Sequence, residues 1–483
     1  MAPTNIFVPG VPSIGKNRRR VSGVSAGPPI RQLATRSRHP NNTATFGATN
    51  QVMSRSRHIA RTTITSAAIV IPTWWVKHQD LAEHALGGTA TVTAAFEYNG
   101  TFTQITFGGS ATGILPDNTN NVSDMVNVSI PAGAAFFVRI FWQSAAGFLN
   151  NSPAALGVAS IYNGGRDELN GERFKQAASG LTDQTMGGTI TSTNTVGDAG
   201  FCPAAIIGPS NTPAIFLLGD SRVEGALDFF NDASTDVGQL ARSVGPYFPY
   251  INDGVHSQST PNYIAQSTKQ RELAQWCSHI VYELGINNFP ARTPAQSVSD
   301  AQSILGMQYL AGKPAFLCTL TSVTTSTDAF STTANQTVST KEAQRTAYND
   351  LLRAGGIAGV AGYLEFADIA EVTRNSGKWR VDTITSQFTA TIATKTMTVS
   401  AVASGALTTN TAISEIGGLA AQQIQTFGTG TGGTGTYNMA LTNTIGSATT
   451  MFCNPPTSDG IHECPPMNML YNTSGVFNPS IIH

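Results

Sequence analysis

Ser221 stands in Gly219-Asp220-Ser221-Arg222-Val223-Glu224-Gly225, directly after an apolar run at residues 214–218. A serine at that place can act as a nucleophile if a strand gives way to a helix there. Its hydroxyl is then held at the sheet's carboxyl edge, and the first N–H groups of the helix point at the reacting oxygen. Gly-Asp-Ser alone is a weak signal, because a turn with serine as N-cap has the same letters. Three further polar motifs each follow a strand-like segment. They are Tyr250-Ile-Asn-Asp-Gly254-Val255, Gly285-Ile286-Asn287-Asn288 and Ser458-Asp459-Gly460-Ile461-His462.

The elements that would position these motifs are legible as changes of period. From about residue 211, apolar runs at 214–218, 279–284, 314–320 and 362–366 alternate with helical segments at 268–277, 297–311 and 341–354. Continuous apolar strands between helices predict a parallel sheet covered on both faces. Residues 63–150 alternate instead. Val126, Val128 and Ile130 share one strand face, Phe136, Val138, Ile140 and Trp142 share another, Pro131-Ala132-Gly133 makes a turn, and Asn99-Gly100 signals a hairpin. A β-sandwich or jelly-roll is expected there, with a Gly/Asn/Thr-rich connection over 151–210.

Two segments stand apart. Residues 1–62 mix Pro/Gly turns with Arg18, Arg19, Arg20, Arg31, Arg36, Arg38, Arg55, Arg57 and Arg61, and show no sustained period. They read as a basic, Pro/Gly-rich arm, solvated or ordered against a partner. Residues 386–452 carry one Lys (Lys395), one Glu (Glu415) and the run FGTGTGGTGTYNM, a composition that suits a Thr/Gly-rich β insert and no surface helix. The hydrolase-like region is thus expected over 211–385 plus 453–483.

The four motifs, in this order, resemble the SGNH (GDSL-type) hydrolase superfamily. Its blocks are GDS near the start, a Gly in block two, GxND in block three and DxxH at the end. Residues 314–353 look like the matching stretch of phage and proteobacterial members that carry an N-terminal β domain. The similarity runs from about residue 90 to the C-terminus, interrupted by the insert, which resembles phage tail and fibre β repeats. The resemblance implies a three-layer α/β/α fold with a flavodoxin-like parallel sheet, and ester hydrolysis through an acyl-serine with no metal or cofactor. It implies Ser221 as nucleophile, His462 as general base and Asp459 as the acid that orients it. The oxyanion donors would be the Ser221 and Gly254 N–H groups and the Asn287 amide. Asn288 stands where the family usually has Asp, and His256-Ser257-Gln258 where a second Gly is frequent. Arg222, His256 and Asn288 are candidates to line the substrate cleft.

Composition narrows the setting. The 483 residues hold 28 Lys+Arg and 29 Asp+Glu, and only 12% are charged, about half the roughly 25% usual for soluble domains. Residues 1–79 hold 11 basic residues and no acid, so the remainder has 17 basic against 29 acidic, a balance of −12. No run of 18 apolar residues is present, so no membrane span is expected. The opening MAPTNIFVPGVPSIGKNRRR has no apolar stretch behind a basic start, and no signal peptide is expected. The five cysteines are scattered, without zinc spacing; Cys453 and Cys464 bracket the Asp459/His462 motif and are expected unpaired. The preferred setting is a phage virion, tail or capsid, with an O-acetylated host polysaccharide as substrate and other virion proteins met through the arm. Nucleic acid is not the expected partner, since arginines alone supply no readout. The oligomeric state stays open, with phage-fibre trimers as the analogue. The rivals are a receptor-binding virion fibre with little turnover and an extracellular bacterial esterase or lipase.

Overall fold

The computed structural model describes residues 27–42, 49–150, 170–192, 201–229, 236–415 and 422–483. Arg18, Arg19 and Arg20, and with them most of the expected arm's first half, lie outside the described residues.

The strand Ile215–Gly219 runs through the middle of a parallel sheet. Tyr250–Gly254 flanks it on one side; His279–Glu283, Ala315–Cys318 and Gly362–Leu364 follow on the other. Counted along the chain these five strands lie in the order 2-1-3-4-5, so the direction of winding reverses at Ile215–Gly219. A crevice opens at the carboxyl ends of the strands at such a point. The strands read as unbroken apolar runs because alternate side chains enter two different cores. Phe216, Leu218, Ile280, Tyr282 and Leu317 pack with Tyr263, Leu273, Ile304, Tyr348 and Leu352 from the helices Thr260–Gln266, Thr268–Leu273, Pro294–Leu305 and Glu342–Ala354. Ile215, Leu217, Val281, Phe316 and Cys318 pack with Leu240, Val244, Met467 and Tyr471 from Gln239–Val244 and Pro465–Thr473. The helix expected to begin at 297 begins three residues earlier, because Thr293 and Gln296 form a reciprocal capping box and Pro294 fits the first helical position.

The N-terminal region is two antiparallel sheets over one core. One holds Ile30–Gln32, Ala205–Pro209 and Ile64–Pro72, with Asn120–Val122 and Val126–Ile130 paired to the last. The other runs Thr112–Leu115, Ala90–Tyr98, Ala135–Gln143, Gln51–Ile59, Arg173–Ala177, with Thr101–Ile105 paired to Ala90–Tyr98. Phe136, Val138, Ile140 and Trp142 line the core against Ile64, Ile69 and Ile71. Asn99 (φ 48°) and Gly100 (φ 76°) form the tight turn of the hairpin that pairs Tyr98 with Thr101. The Pro131–Gly133 turn carries the chain from one sheet to the other, since Val126–Ile130 and Ala135–Gln143 pair with different partners.

Here the structure departs from the expected boundaries. Residues 30–42 and 49–62 are folded, and Gln51–Ile59 is an interior strand. Its arginines are not a solvated run: Arg55 and Arg139 both donate to the Glu97 carboxylate across the sheet, at 2.6–2.7 Å, and the Arg55 guanidinium lies 3.2 Å over the Phe137 ring. The expected connection over 151–210 supplies two strands, Arg173–Ala177 and Ala205–Pro209. Between the two halves, Ser37–Arg38 adds a short parallel strand beside Tyr250–Gly254, so one segment near the N-terminus belongs to both architectures.

The insert is a four-stranded antiparallel sheet, Ser386–Ser404, Thr411–Glu415, Gln422–Phe427 and Gly435–Cys453, with its own core of Phe388, Ile392, Met397, Ile424, Tyr437, Met439 and Met451. Ser386 pairs directly with Cys453, so the chain leaves and returns at one point. Among the described residues no helix is long and apolar enough to cross a membrane.

Candidate active site

Ser221 begins the short helix Ser221–Glu224 immediately after the central strand. Asp220 is its N-cap, its carboxylate accepting the Arg222 N–H at 3.1 Å. Two glycines permit the tight connection. A Cβ on Gly219 would stand 2.1 Å from Val223 Cγ2, and Gly225, at φ 105°, closes the helix by donating to the Ser221 carbonyl. Ser221 is 5% exposed.

The loop after the insert brings the second half. His462 Nε2 lies 2.8 Å from Ser221 Oγ, and His462 Nδ1 lies 2.7 Å from Asp459 Oδ2. Asp459 Oδ1 accepts the Ile461 and His462 N–H groups at 2.8 and 2.9 Å. Crowding by protein works to raise the Asp459 pKa, although 30% of the side chain stays open. The His462 charge and hydrogen bond, with the two backbone N–H groups, outweigh it and hold the carboxyl at about 2. The loop itself is pinned at Gly460. Its carbonyl accepts from Thr324 N at 2.9 Å and Trp379 Nε1 at 3.1 Å, and its N–H donates to Thr457 Oγ1 at 2.9 Å. Gly460 has φ 78°, and a Cβ there would meet the Thr324 carbonyl at 1.9 Å. A serine hydroxyl joined in this way to a carboxylate-oriented imidazole can be deprotonated as it attacks a carbonyl.

The three residues expected as oxyanion donors fare differently. Asn287 lies beside the serine, its amide donating to the Gln258 carbonyl at 3.1 Å and to Asp220 Oδ2 at a long 3.3 Å. The Ser221 N–H belongs to the first residue of the helix and has no partner among the described residues. Gly254 has another task. It ends its strand with its N–H already donating to Asn252 Oδ1 at 2.8 Å, and a Cβ there would stand 2.3 Å from Glu224 N. It is a close-packing glycine that lets the nucleophile's helix sit on the strand, and its N–H is not free for an oxyanion.

Of the residues expected in the cleft, only His256 is there. Its ring stacks on His462 at 6.4 Å and 28°, and burial, with His462 beside it, lowers its pKa to about 4. Arg222 is fully buried under the site. Its Nε donates to the Ile461 carbonyl at 3.0 Å and its Nη2 to the Ser322 carbonyl at 3.2 Å, while Nη1 lies 3.7 Å from Glu283. It clamps the histidine's loop to the serine's helix. Asn288 is a loop staple: its Oδ1 accepts from Thr260 N at 3.0 Å and its Nδ2 donates to Ser297 Oγ at 3.2 Å.

Sequence reasoning missed two groups. Asp220 and Glu283 are both buried beneath Ser221. Burial raises both carboxyls, Glu283 strongly so with Asp220 beside it. The second group comes from the folded part of the expected arm. Arg38 Nη1 donates to the Glu224 carbonyl at 2.9 Å, His39 Nε2 lies 3.1 Å from Asp253 Oδ1, and Asn41 Nδ2 donates to the Gly254 carbonyl at 3.1 Å. No local signal in the sequence marks those contacts, which span about 200 residues. No disulfide joins any of the five cysteines, Cys453 and Cys464 included. Among the described residues no group of three or more His, Cys, Asp or Glu side chains is placed to hold a metal ion.

No protein-family model matches the sequence, and no curated protein matches it. Solved structures do. A Bacillus subtilis protein is 12% identical, with a TM-score of 0.26 over 67% of this chain and 70% of that one. A GDSL-like lipase from Bacteroides thetaiotaomicron is 13% identical, with a TM-score of 0.23 over 34% of this chain and 72% of that one. AlinE4, an SGNH-hydrolase family esterase, is 19% identical, with a TM-score of 0.18 over 23% of this chain and 61% of that one. At TM-scores this low the case for the chemistry rests on the side chains themselves.

Proposed function

We propose that the chain is a serine esterase of the SGNH type, with the parallel sheet as the middle of a three-layer α/β/α domain. The observation that carries this reading is the unbroken contact Ser221 Oγ–His462 Nε2–Asp459 Oδ2, at 2.8 and 2.7 Å, at the carboxyl end of the central strand. Ser221 attacks the ester carbonyl while His462 takes its proton. The tetrahedral oxyanion is met by the Ser221 N–H and by the Asn287 amide, which gives up its long bond to Asp220. His462 then protonates the departing alcohol, and water, activated by the same imidazole, releases the acid from Ser221.

For the biological setting we infer a phage virion component that removes O-acetyl groups from a host surface polysaccharide. The support is the resemblance of the Thr/Gly-rich insert to phage fibre repeats and the basic residues Lys16, Arg18, Arg19 and Arg20 ahead of residue 27, suited to a protein partner. The test is acetate release from p-nitrophenyl acetate and from acetylated host polysaccharide by the wild type and by Ser221→Ala. Ser221-dependent release is expected from both, with the alanine variant down by about 10⁶-fold. No Ser221-dependent release from either substrate refutes the esterase; release from the nitrophenyl ester alone refutes the polysaccharide.

A further inference from the structure

The stacked His256 ring, itself half-buried, is the outer end of a column that runs into the protein. His78, directly after the strand Trp74–Lys77 of the N-terminal β region, meets it edge-on, with centroids 5.9 Å apart at 60°. His78 is 8% exposed, and neither of its ring nitrogens has a hydrogen-bond partner among the described residues. Behind it, 3.8 Å from His78 Nε2, is the Glu224 carboxylate, fully buried on the nucleophile's own helix. A buried imidazole nitrogen without a protein partner costs about 1–3 kcal/mol and calls for an explanation.

The position of His256 supplies the reason. The leaving alcohol must come within about 3 Å of His462 Nε2 to be protonated. A ring stacked on the face of His462 therefore lies beside that alcohol, where its neighbouring substituents fall. Burial keeps His256 neutral at physiological pH, and it keeps His78 neutral too, lowered to about 3 by burial with His256 adding to the effect. A neutral imidazole offers one donor and one acceptor, the same pair that a hydroxyl offers. It also places no second positive charge against the imidazolium that forms on His462.

We propose that His256, braced by His78 from the N-terminal β region, is the leaving-group contact of this site and selects esters of polyhydroxy alcohols over esters whose alcohol carries no neighbouring hydroxyl. The proposal rests on the esterase reading above and gives the β region a part in specificity. His256 touches substrate; His78 is a positioning residue that sets the angle of the His256 ring.

The experiment compares kcat/KM for a monoacetylated glucose with kcat/KM for p-nitrophenyl acetate in the wild type, His256→Ala and His78→Ala, each checked by thermal unfolding. The wild type hydrolyses both. His256→Ala lowers the sugar-to-nitrophenyl ratio by roughly 10–100-fold, the worth of one or two hydrogen bonds in a partly closed site. His78→Ala lowers it by roughly 3–10-fold, in KM more than in kcat, and His78→Asn recovers part of the loss. A ratio unchanged within threefold in His256→Ala overturns the proposal, as does a wild type that cleaves the nitrophenyl ester but no acetylated sugar. Undiminished turnover by Ser221→Ala would instead remove the esterase reading itself, so the two failures are distinct.

Discussion

Asp459→Asn tests the site's logic with the least change of shape. Asp459 Oδ1 accepts two backbone N–H groups and Oδ2 accepts His462 Nδ1–H. In the asparagine variant the atom facing the two N–H groups must be the amide oxygen, since an NH₂ there would point donors at donors. The NH₂ is then forced toward His462 Nδ1, which can only accept from it. The ring proton moves to Nε2, toward Ser221 Oγ, and the imidazole can no longer take the serine's proton. The loss of kcat/KM on p-nitrophenyl acetate at pH 7 is expected to be about 10⁴-fold, as for a wrong-tautomer histidine in a serine triad. The stability effect has a defined sign. The Asp459 carboxyl titrates at about 2 in the fold against an ordinary value of 3.8. Its contribution is therefore fully present above the unfolded value and is lost as pH falls through about 2. Two pKa units correspond to roughly 2–3 kcal/mol; the 30% open side chain discounts this to about 1–2 kcal/mol for solvent screening. Urea unfolding should show that gap between wild type and variant at pH 7 and a smaller gap at pH 3. A variant that folds and keeps activity within tenfold would refute the claim that Asp459 sets the tautomer.

Asn287→Ala should lower kcat by about 10²–10³ through loss of one oxyanion donor, with the thermal midpoint little changed because the residue is only half-buried; steady-state kinetics and a melting curve check both. Gly460→Ala should abolish turnover and destabilise the protein by more than about 1 kcal/mol, since its φ is positive and the new Cβ meets a carbonyl at 1.9 Å. Deleting residues 1–62 should yield insoluble or unfolded protein, because it removes the interior strand Gln51–Ile59, whereas deleting residues 1–26 removes none of the described core; expression and circular dichroism separate the two.

What was legible in the sequence was local. The apolar runs at 214–218 and 279–284 announce strands because both of their faces are buried, and Asp459 and His462 are three residues apart on one loop. The strand Gln51–Ile59 was hidden because its pattern holds Arg55, Arg57 and two serines where a buried strand usually has apolar residues. What makes that pattern a strand is Glu97 and Phe137, far along the chain. Gly254 looked like an oxyanion donor because a glycine's letter does not say whether its N–H is free. Only the Asn252 side chain, folded back on its own strand, shows that it is not. Arg222 reads as a cleft residue for the same reason: its three-sided clamp on carbonyls at 321, 322 and 461 exists only once the ends of the domain meet.

The insert raises a physical question, since 67 residues stand between the body of the domain and the loop that carries His462. As an open loop it would leave the histidine poorly tethered, because closing a long flexible segment costs entropy that grows with its length. The pairing Ser386↔Cys453, continued by Thr385 N donating to the Cys453 carbonyl at 3.1 Å, closes it at its base. To the parallel-sheet domain the insert is therefore a single short turn. Its closure is not neutral to the site, however. Ala412 of the insert packs with Phe229, just past the nucleophile's helix, and with Cys464, two residues past His462. The base of the insert thus packs against the segment that follows the nucleophile's helix and the segment that follows His462. A larger side chain at 412 should lower turnover without weakening the insert's own core, which is built from other residues. Ala412→Leu, compared with wild type by kcat on p-nitrophenyl acetate and by thermal unfolding, is expected to lose roughly 10-fold in kcat from a sub-ångström shift of the histidine's loop; an unchanged kcat would mean that the insert is mechanically separate from the chemistry it interrupts.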